Sequence, residues 1–252
     1  MMFSLLKDVL KLDREIVGVT LCMNKEDYLV SGVKELKEKM SYCNMVKYGT
    51  KGKAFKARLD HFFCGGSQRA LGMRPLEDNV MTGEEYYSYK MYESLQVAKS
   101  VQEEVTYLPN GTYGVIVEPL KDARKPDIVI MILNPYQAMR LTQAYAFSNG
   151  VAKNIKFTGN QGICSECTAV PYINQDMNVS LLCANTRFSA KWQDHEMAVG
   201  LPYQMFEDLV TGLVKTLNAS EPDKRKVEMM DLKDKYGLDI SLKTSYYKSS
   251  KR

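Results

Sequence analysis

Four cysteines occupy three short turns built from small residues. Cys64 lies in Phe63-Cys64-Gly65-Gly66-Ser67, Cys164 and Cys167 in Gly162-Ile163-Cys164-Ser165-Glu166-Cys167, and Cys183 in Cys183-Ala184-Asn185. Thiolates bind soft metals tightly, and small neighbours let backbone N–H groups approach the sulfurs. If folding gathers these turns, they make a four-thiolate shell for an iron–sulfur cluster or for zinc. Zinc sites usually combine two close-spaced cysteine pairs, whereas two of these thiols are solitary, which favours the cluster. Without Cys167, three ligands would leave one metal position open to a substrate. The competing account is that free cysteine is among the most buried residue types and that these are small core side chains.

Other side chains could serve such a site. Arg69 and Arg187 each follow a cysteine by roughly a helical turn and are candidates to offset the charge of a thiolate, a cluster or an anionic ligand, although surface ion pairs would use them equally well. Glu166, between two cysteines, is a candidate acid or base, with a solvated carboxylate as the default. The two histidines, His61 and His195, exclude a histidine-rich zinc site and offer no visible general base to a cysteine nucleophile. Asp194-His195-Glu196 would point in different directions along a helix or strand, so a helix cap with solvated charges explains them better than one shared ion. Asn134, Tyr136 and Gln137 follow an apolar strand and open a helix, the place where α/β sheets hold ligands. A second reading therefore puts a planar or anionic small molecule, tetrapyrrole-like, beside Asn134 and Tyr136 in a non-catalytic or auxiliary module; plain helix capping competes with it. Tyr86, Tyr87, Tyr89 and Tyr92 could line a planar pocket or form core and rim. With no glycine-rich fingerprint or phosphate loop, nucleotide binding has no support.

The elements that must position these residues follow from periodicity. Leu5, Leu6, Val9 and Leu10 have helical spacing in Phe3 to Leu12, and Glu15 to Leu21 reads as a strand. Ser31 to Met45 reads as a helix with Val33, Leu36 and Met40 as its apolar stripe, extended by Tyr42 and Cys43. A helix starts at Ser67, and Tyr86 to Gln102 is expected to be helical with Tyr89, Tyr92 and Leu95 facing inward. Val115 to Val117 and the wholly apolar Ile128 to Leu133 are strands, and Asn134-Pro135 caps a helix through Phe147 that Ser148-Asn149-Gly150 closes. Ile155 to Phe157, Val179 to Leu182 and Met197 to Val199 supply further strands, and Pro202 to Leu217 a last helix. An apolar strand like Ile128 to Leu133 is normally covered on both faces. The expected class is α+β or α/β: one domain, residues 1–220, with a central mixed β-sheet packed by helices, then a charged and partly mobile C-terminal extension, 221–252.

Bulk properties narrow the function. A chain of 252 residues, 45% apolar, can bury a substantial core. No apolar run is long enough to cross a bilayer, and Lys7, Lys11 and Asp13 interrupt any signal-peptide layout, so a cytoplasmic location without membrane contact is expected. There thiols stay reduced, which argues against a disulfide framework for the six cysteines; 15 methionines beside them suit an anaerobe. Lys243, Lys248, Lys251 and Arg252 account for the whole net charge of +4, since 30 basic and 30 acidic residues remain without them. A balanced body with a basic end argues against nucleic acid and for a small-molecule partner.

Several motifs occur in one order: Phe63-Cys64-Gly65-Gly66 with Ala70-Leu71-Gly72, Val117-Glu118-Pro119-Leu120 before Pro126-Asp127-Ile128-Val129, Asn134-Pro135-Tyr136-Gln137-Ala138-Met139-Arg140-Leu141, Gly162-Ile163-Cys164, Ser180-Leu181-Leu182-Cys183 with Arg187, and Asp194 to Pro202. Over roughly residues 15–217 the chain thereby resembles the family called domain of unknown function 169, found widely in anaerobic bacteria and archaea. The resemblance implies cysteine positions like Cys64, Cys164 and Cys183, ranking them above Cys22 and Cys43, and carries no settled activity. Asn185 departs from the glycine more familiar near that position. The expected function is a cytoplasmic thiolate-metal protein, iron–sulfur in class, with a redox or cluster-assisted role on a small molecule.

Overall fold

A computed structural model describes residues 2–217 and 226–239. Its strands are β1 (Val17–Cys22), β2 (Phe55–Arg58), β3 (Gly114–Pro119), β4 (Ile128–Leu133), β5 (Asn178–Ser180) and β6 (Met197–Pro202). They form one open sheet in the order β2-β3-β1-β4-β6-β5, with every neighbouring pair antiparallel. The expected mixture of strand directions reduces to two isolated parallel bridges, Glu35 with Lys56 and Met40 with Phe62. The class is α+β.

The helices are α1 (Met2–Leu10), α2 (Lys25–Val30), α3 (Tyr42–Gly49), α4 (Gly65–Ala70), α5 (Asp78–Met81), α6 (Glu84–Ser88), α7 (Leu95–Glu104), α8 (Pro135–Asn149), α9 (Val170–Asn174), α10 (Ala184–Ala190), α11 (Phe206–Lys215) and α12 (Lys226–Tyr236), with a π-helical turn at Gly162–Ala169. Among the described residues no helix is long and apolar enough to cross a membrane.

Side chains alternate across a strand, so β4 serves two cores at once. Val129, Met131 and Leu133 pack with Leu6, Leu141, Phe206 and Leu213 of α1, α8 and α11. Ile128, Ile130 and Ile132 face the other way, into a core shared with Tyr42, Met45 and Val46 of α3, Ala70, and Ile163, Cys164 and Cys167 of the π-helical turn. This two-sided burial explains why six apolar residues run without interruption. Cys43, Cys164 and Cys167 lie in this second core, whereas Cys22 packs in a separate small cluster with Tyr28 and Ile116.

Two expected helices differ. Residues 31–41 are not helical: Gly32 takes a positive φ, and the chain then runs alongside β2, bridging Glu35 to Lys56, and past it to the Met40–Phe62 bridge, with Leu36 N–H donating to Lys56 O at 2.9 Å. Ser41 then caps α3 by accepting from Asn44 N–H. The aromatic segment breaks into α6 and α7, because Lys90 has a positive φ and Ser94 starts a new helix as N-cap. Tyr89 and Leu95 are accordingly exposed instead of inward. Residues 155–157 form no strand. Part of the C-terminal extension, α12, docks on α1, where Lys235 and Tyr236 bond Asp8 and Met229 is buried. Lys243, Lys248, Lys251 and Arg252 lie outside the described residues.

Candidate functional site

A cavity of about 680 Å³ opens on the α3 side of the sheet, and four thiols line it: Cys43, Cys64, Cys164 and Cys183. Each comes from a different element. Cys43 is in the first turn of α3, Cys64 is the N-cap of α4, Cys183 is the N-cap of α10, and Cys164 belongs to the π-helical turn. Cys64-Gly65-Gly66 and Cys183-Ala184-Asn185 play matching parts, as both cysteines start short helices that face one cavity. Asn185 joins them, its Nδ2 lying 3.7 Å from Cys64 Sγ, while Thr186 N–H donates to Cys183 Sγ at 3.4 Å.

Glycine makes this convergence possible. A Cβ on Gly162 would sit 2.9 Å from Cys183 N, so only glycine lets the π-helical turn press against the Cys183 segment. A Cβ on Gly200 of β6 would lie 2.6 Å from Cys167 Cα, so the same turn also rests directly on the sheet. A π-helical turn is a rare feature found mostly at functional sites, and this one carries Cys164 to the cavity wall.

All six cysteines are free thiols, and Cys64 is the one that is not buried. Burial pushes the Cys43 and Cys164 thiols well above their ordinary range, and the neighbouring thiols add to the shift: chiefly Cys183 for Cys43, and Cys43 for Cys164. Both are therefore protonated near neutral pH, and neither is an activated nucleophile. Neither His61 nor His195 lines the cavity, so the cysteine-nucleophile reading gains no base.

Among the described residues, no three His, Cys, Asp or Glu side chains meet closely enough to share one metal ion. Zinc with bonds of about 2.3 Å needs sulfurs within about 4 Å of each other, and the thiols as placed do not fit it. A cluster carries its own iron and sulfide between its ligands and does not need the thiols in mutual contact.

The remaining candidate residues are distributed otherwise. Cys167 is buried completely and does not line the cavity; it faces the core beneath the turn. Arg69 borders the cavity, but its guanidinium is engaged, with Nε on Glu77 at 2.7 Å and both Nη atoms on Glu85 at 2.9 and 2.7 Å. Arg187 clips the chain by donating to the carbonyls of Gln193, Leu181 and Glu196 and is not on the cavity wall. Glu166 is buried, contrary to the solvated carboxylate expected. It accepts from Thr158 N–H at 2.7 Å, Gly159 N–H at 3.2 Å and Ser180 Oγ–H, and so ties the 158–160 loop to β5. Glu196 pairs with Arg14.

Asn134 and Gln137 form a reciprocal capping box on α8, and Gln137 Nε2 also donates to Leu10 O at 3.0 Å. Tyr136 is half exposed beside them. Since β4 pairs antiparallel on both edges, it offers no crevice of the parallel-sheet kind on which the ligand expectation rested. Asn134, Tyr136 and Gln137 do not line the thiol cavity.

Sequence reasoning placed Cys43 below the other thiols, because a cysteine on an apolar helix stripe looks like core, whereas the structure puts it on the cavity wall. It also missed Gln161, whose Nε2 donates to the hydroxyls of Tyr86 and Tyr107, each at 2.8 Å, inside the cavity wall. Position 161 directly before Gly162-Ile163-Cys164 was the one available signal.

Comparison with known proteins agrees with this architecture's sequence motifs. An uncharacterised protein of Methanocaldococcus jannaschii is 26% identical over 211 residues, covering 82% of this chain and 90% of the relative. No solved structure matches. The profile of the uncharacterised ArCR family, domain of unknown function 169, matches residues 5–212, and the chain belongs to that family.

Proposed function

We propose that the protein is a thiolate-metal protein of the iron–sulfur class, acting in a reducing, cytoplasmic setting on a small molecule that enters the same cavity. The ligands assigned are Cys43, Cys64, Cys164 and Cys183, with Cys43 replacing Cys167. One observation carries the reading: four thiols from four separate elements line one cavity, and three of them are buried. Core cysteines used only for packing would have no reason to share a concave wall.

When bound, a cluster supplies one-electron chemistry or an iron that polarises a substrate. The chain's own groups do the rest. Thr186 N–H and the Asn185 amide donate toward Cys183 and Cys64 sulfur and help to fix where those sulfurs sit. Ion pairs from Arg69 to Glu77 and Glu85 hold α4, and with it Cys64, against α6. Loading must displace protons from Cys43 and Cys164, so affinity is expected to rise with pH.

The test is anaerobic reconstitution of the full chain with ferrous iron and sulfide, read by iron and sulfide content and by visible absorption. Wild type is expected to hold iron and sulfide stoichiometrically. Cys164→Ser and Cys183→Ser should lose it, and Cys22→Ser, away from the cavity, should not. Iron retained equally by all variants would defeat the assignment.

A further inference from the structure

The thiols occupy only part of the cavity lining, and other parts of it are aromatic and amide in character. Tyr86, Tyr89 and Met91 line it together with Asn160 and Gln161, and Phe63 stands beside Cys64 at the rim. Rings of Tyr86 and Tyr89 are perpendicular, at 87° with centroids 6.3 Å apart, and Tyr89 and Phe63 are 63% and 57% exposed. Such faces stack flat molecules, and a volume near 680 Å³ is that of a small-molecule pocket.

Gln161 adds a specific demand. It is 3% exposed, its Nε2 is used twice on Tyr86 and Tyr107, and Tyr107 passes its own proton to Gln102 Oε1 at 2.6 Å. Its Oε1 is buried with no hydrogen-bond partner. Buried polar atoms are nearly always paired, and Gln161 is one of the residues that line the cavity, so its orphaned acceptor is a place for a ligand donor once the amide turns to meet it. Charge narrows the class further. The charged side chains of the lining are Arg69 and Glu85, which neutralise each other through two hydrogen bonds. Among the described residues of the lining, no cation is left over to hold a phosphate or carboxylate.

We propose that the wall formed by Gln161, Tyr86 and Tyr89 binds an uncharged, planar heterocycle that donates an N–H group to Gln161 Oε1. The assignment deepens the proposed function by naming the class of molecule that meets the thiol side of the cavity.

The probe is lumichrome, a neutral, fluorescent, tricyclic imide with N–H donors, titrated into the metal-free, reduced full chain. Its 1,3-dimethyl derivative keeps the ring system and lacks those donors. Lumichrome is expected to bind at least tenfold more tightly than the dimethyl compound. Gln161→Met should abolish that preference, and Tyr89→Ala, an exposed change compatible with folding, should weaken both compounds alike. No saturable binding of lumichrome to wild type, or a preference that survives in folded Gln161→Met, overturns the proposal. Because the titration uses metal-free protein, its outcome is independent of whether iron and sulfide load onto the thiols.

Discussion

At the scale of single residues, the site separates groups that face the cavity from groups that build its wall. Glu166 belongs to the wall: its carboxyl satisfies two backbone N–H groups and the Ser180 hydroxyl in a buried position. Glu166→Ala leaves those donors unpaired and is expected to lower stability by about 3 kcal/mol, readable as a shift in urea midpoint; a shift below about 1 kcal/mol would mean that solvent reaches them. Arg69 is likewise structural, and Arg69→Lys cannot reproduce its fork on Glu85. That variant should raise the alkylation rate of Cys64 by loosening α4, while an unchanged rate would show that α4 is held by other contacts. These roles were only partly legible in the sequence. Cys64, Cys164 and Cys183 stood out by their small neighbours, but whether a glutamate or an arginine points at a cavity depends on partners many residues away. The Glu77 and Glu85 that occupy Arg69 carry no local mark.

Among the elements, the regular ones could be read and the irregular ones could not. Strand β4 and the capped helix α8 follow from an unbroken apolar run and an Asn-Pro start, both local signals. The helix expected over residues 31–45 failed because its apolar spacing serves an extended segment lying beside β2, a pairing decided by tertiary structure. No pattern announces a π-helical turn, yet this one places Cys164 in the cavity and Cys167 beneath it. Its seat depends on two glycines. Gly162→Ala pushes a methyl group against Cys183 N, and Gly200→Ala pushes one against the Cys167 backbone. Each is expected to cost about 2 to 3 kcal/mol. Gly162→Ala should in addition separate Cys164 from Cys183, seen as weaker metal retention than in Gly200→Ala; equal retention would place the convergence elsewhere.

Taken as a whole, the molecule puts a conventional packed core on one side of the sheet and a thiol-rich core with a cavity on the other. Burying so many thiols and phenols gives the protein a pH limit. Burial, with Asp27 and Asp127 contributing, pushes Cys22 up to about 11 from 9.0, and burial pushes Tyr107 up to about 12 from 10.0. In the unfolded chain these groups ionise first, so above about pH 9 the unfolded state binds fewer protons and stability falls with rising pH. The Cys22 contribution is complete below 9.0 and is lost by about 11. The urea midpoint of the reduced, metal-free protein should therefore drop between those values, and less so in Cys22→Ala. A midpoint independent of alkaline pH would contradict the burial of these groups.

The central claim is that Cys43, Cys64, Cys164 and Cys183 jointly face one inorganic centre. Anomalous diffraction at the iron edge, from crystals grown anaerobically after reconstitution, tests it most directly. Iron density is expected inside the cavity, bounded by those four sulfurs, with Cys167 outside the shell. Density bound through Cys167, or iron lying anywhere but between these four thiols, would contradict the account.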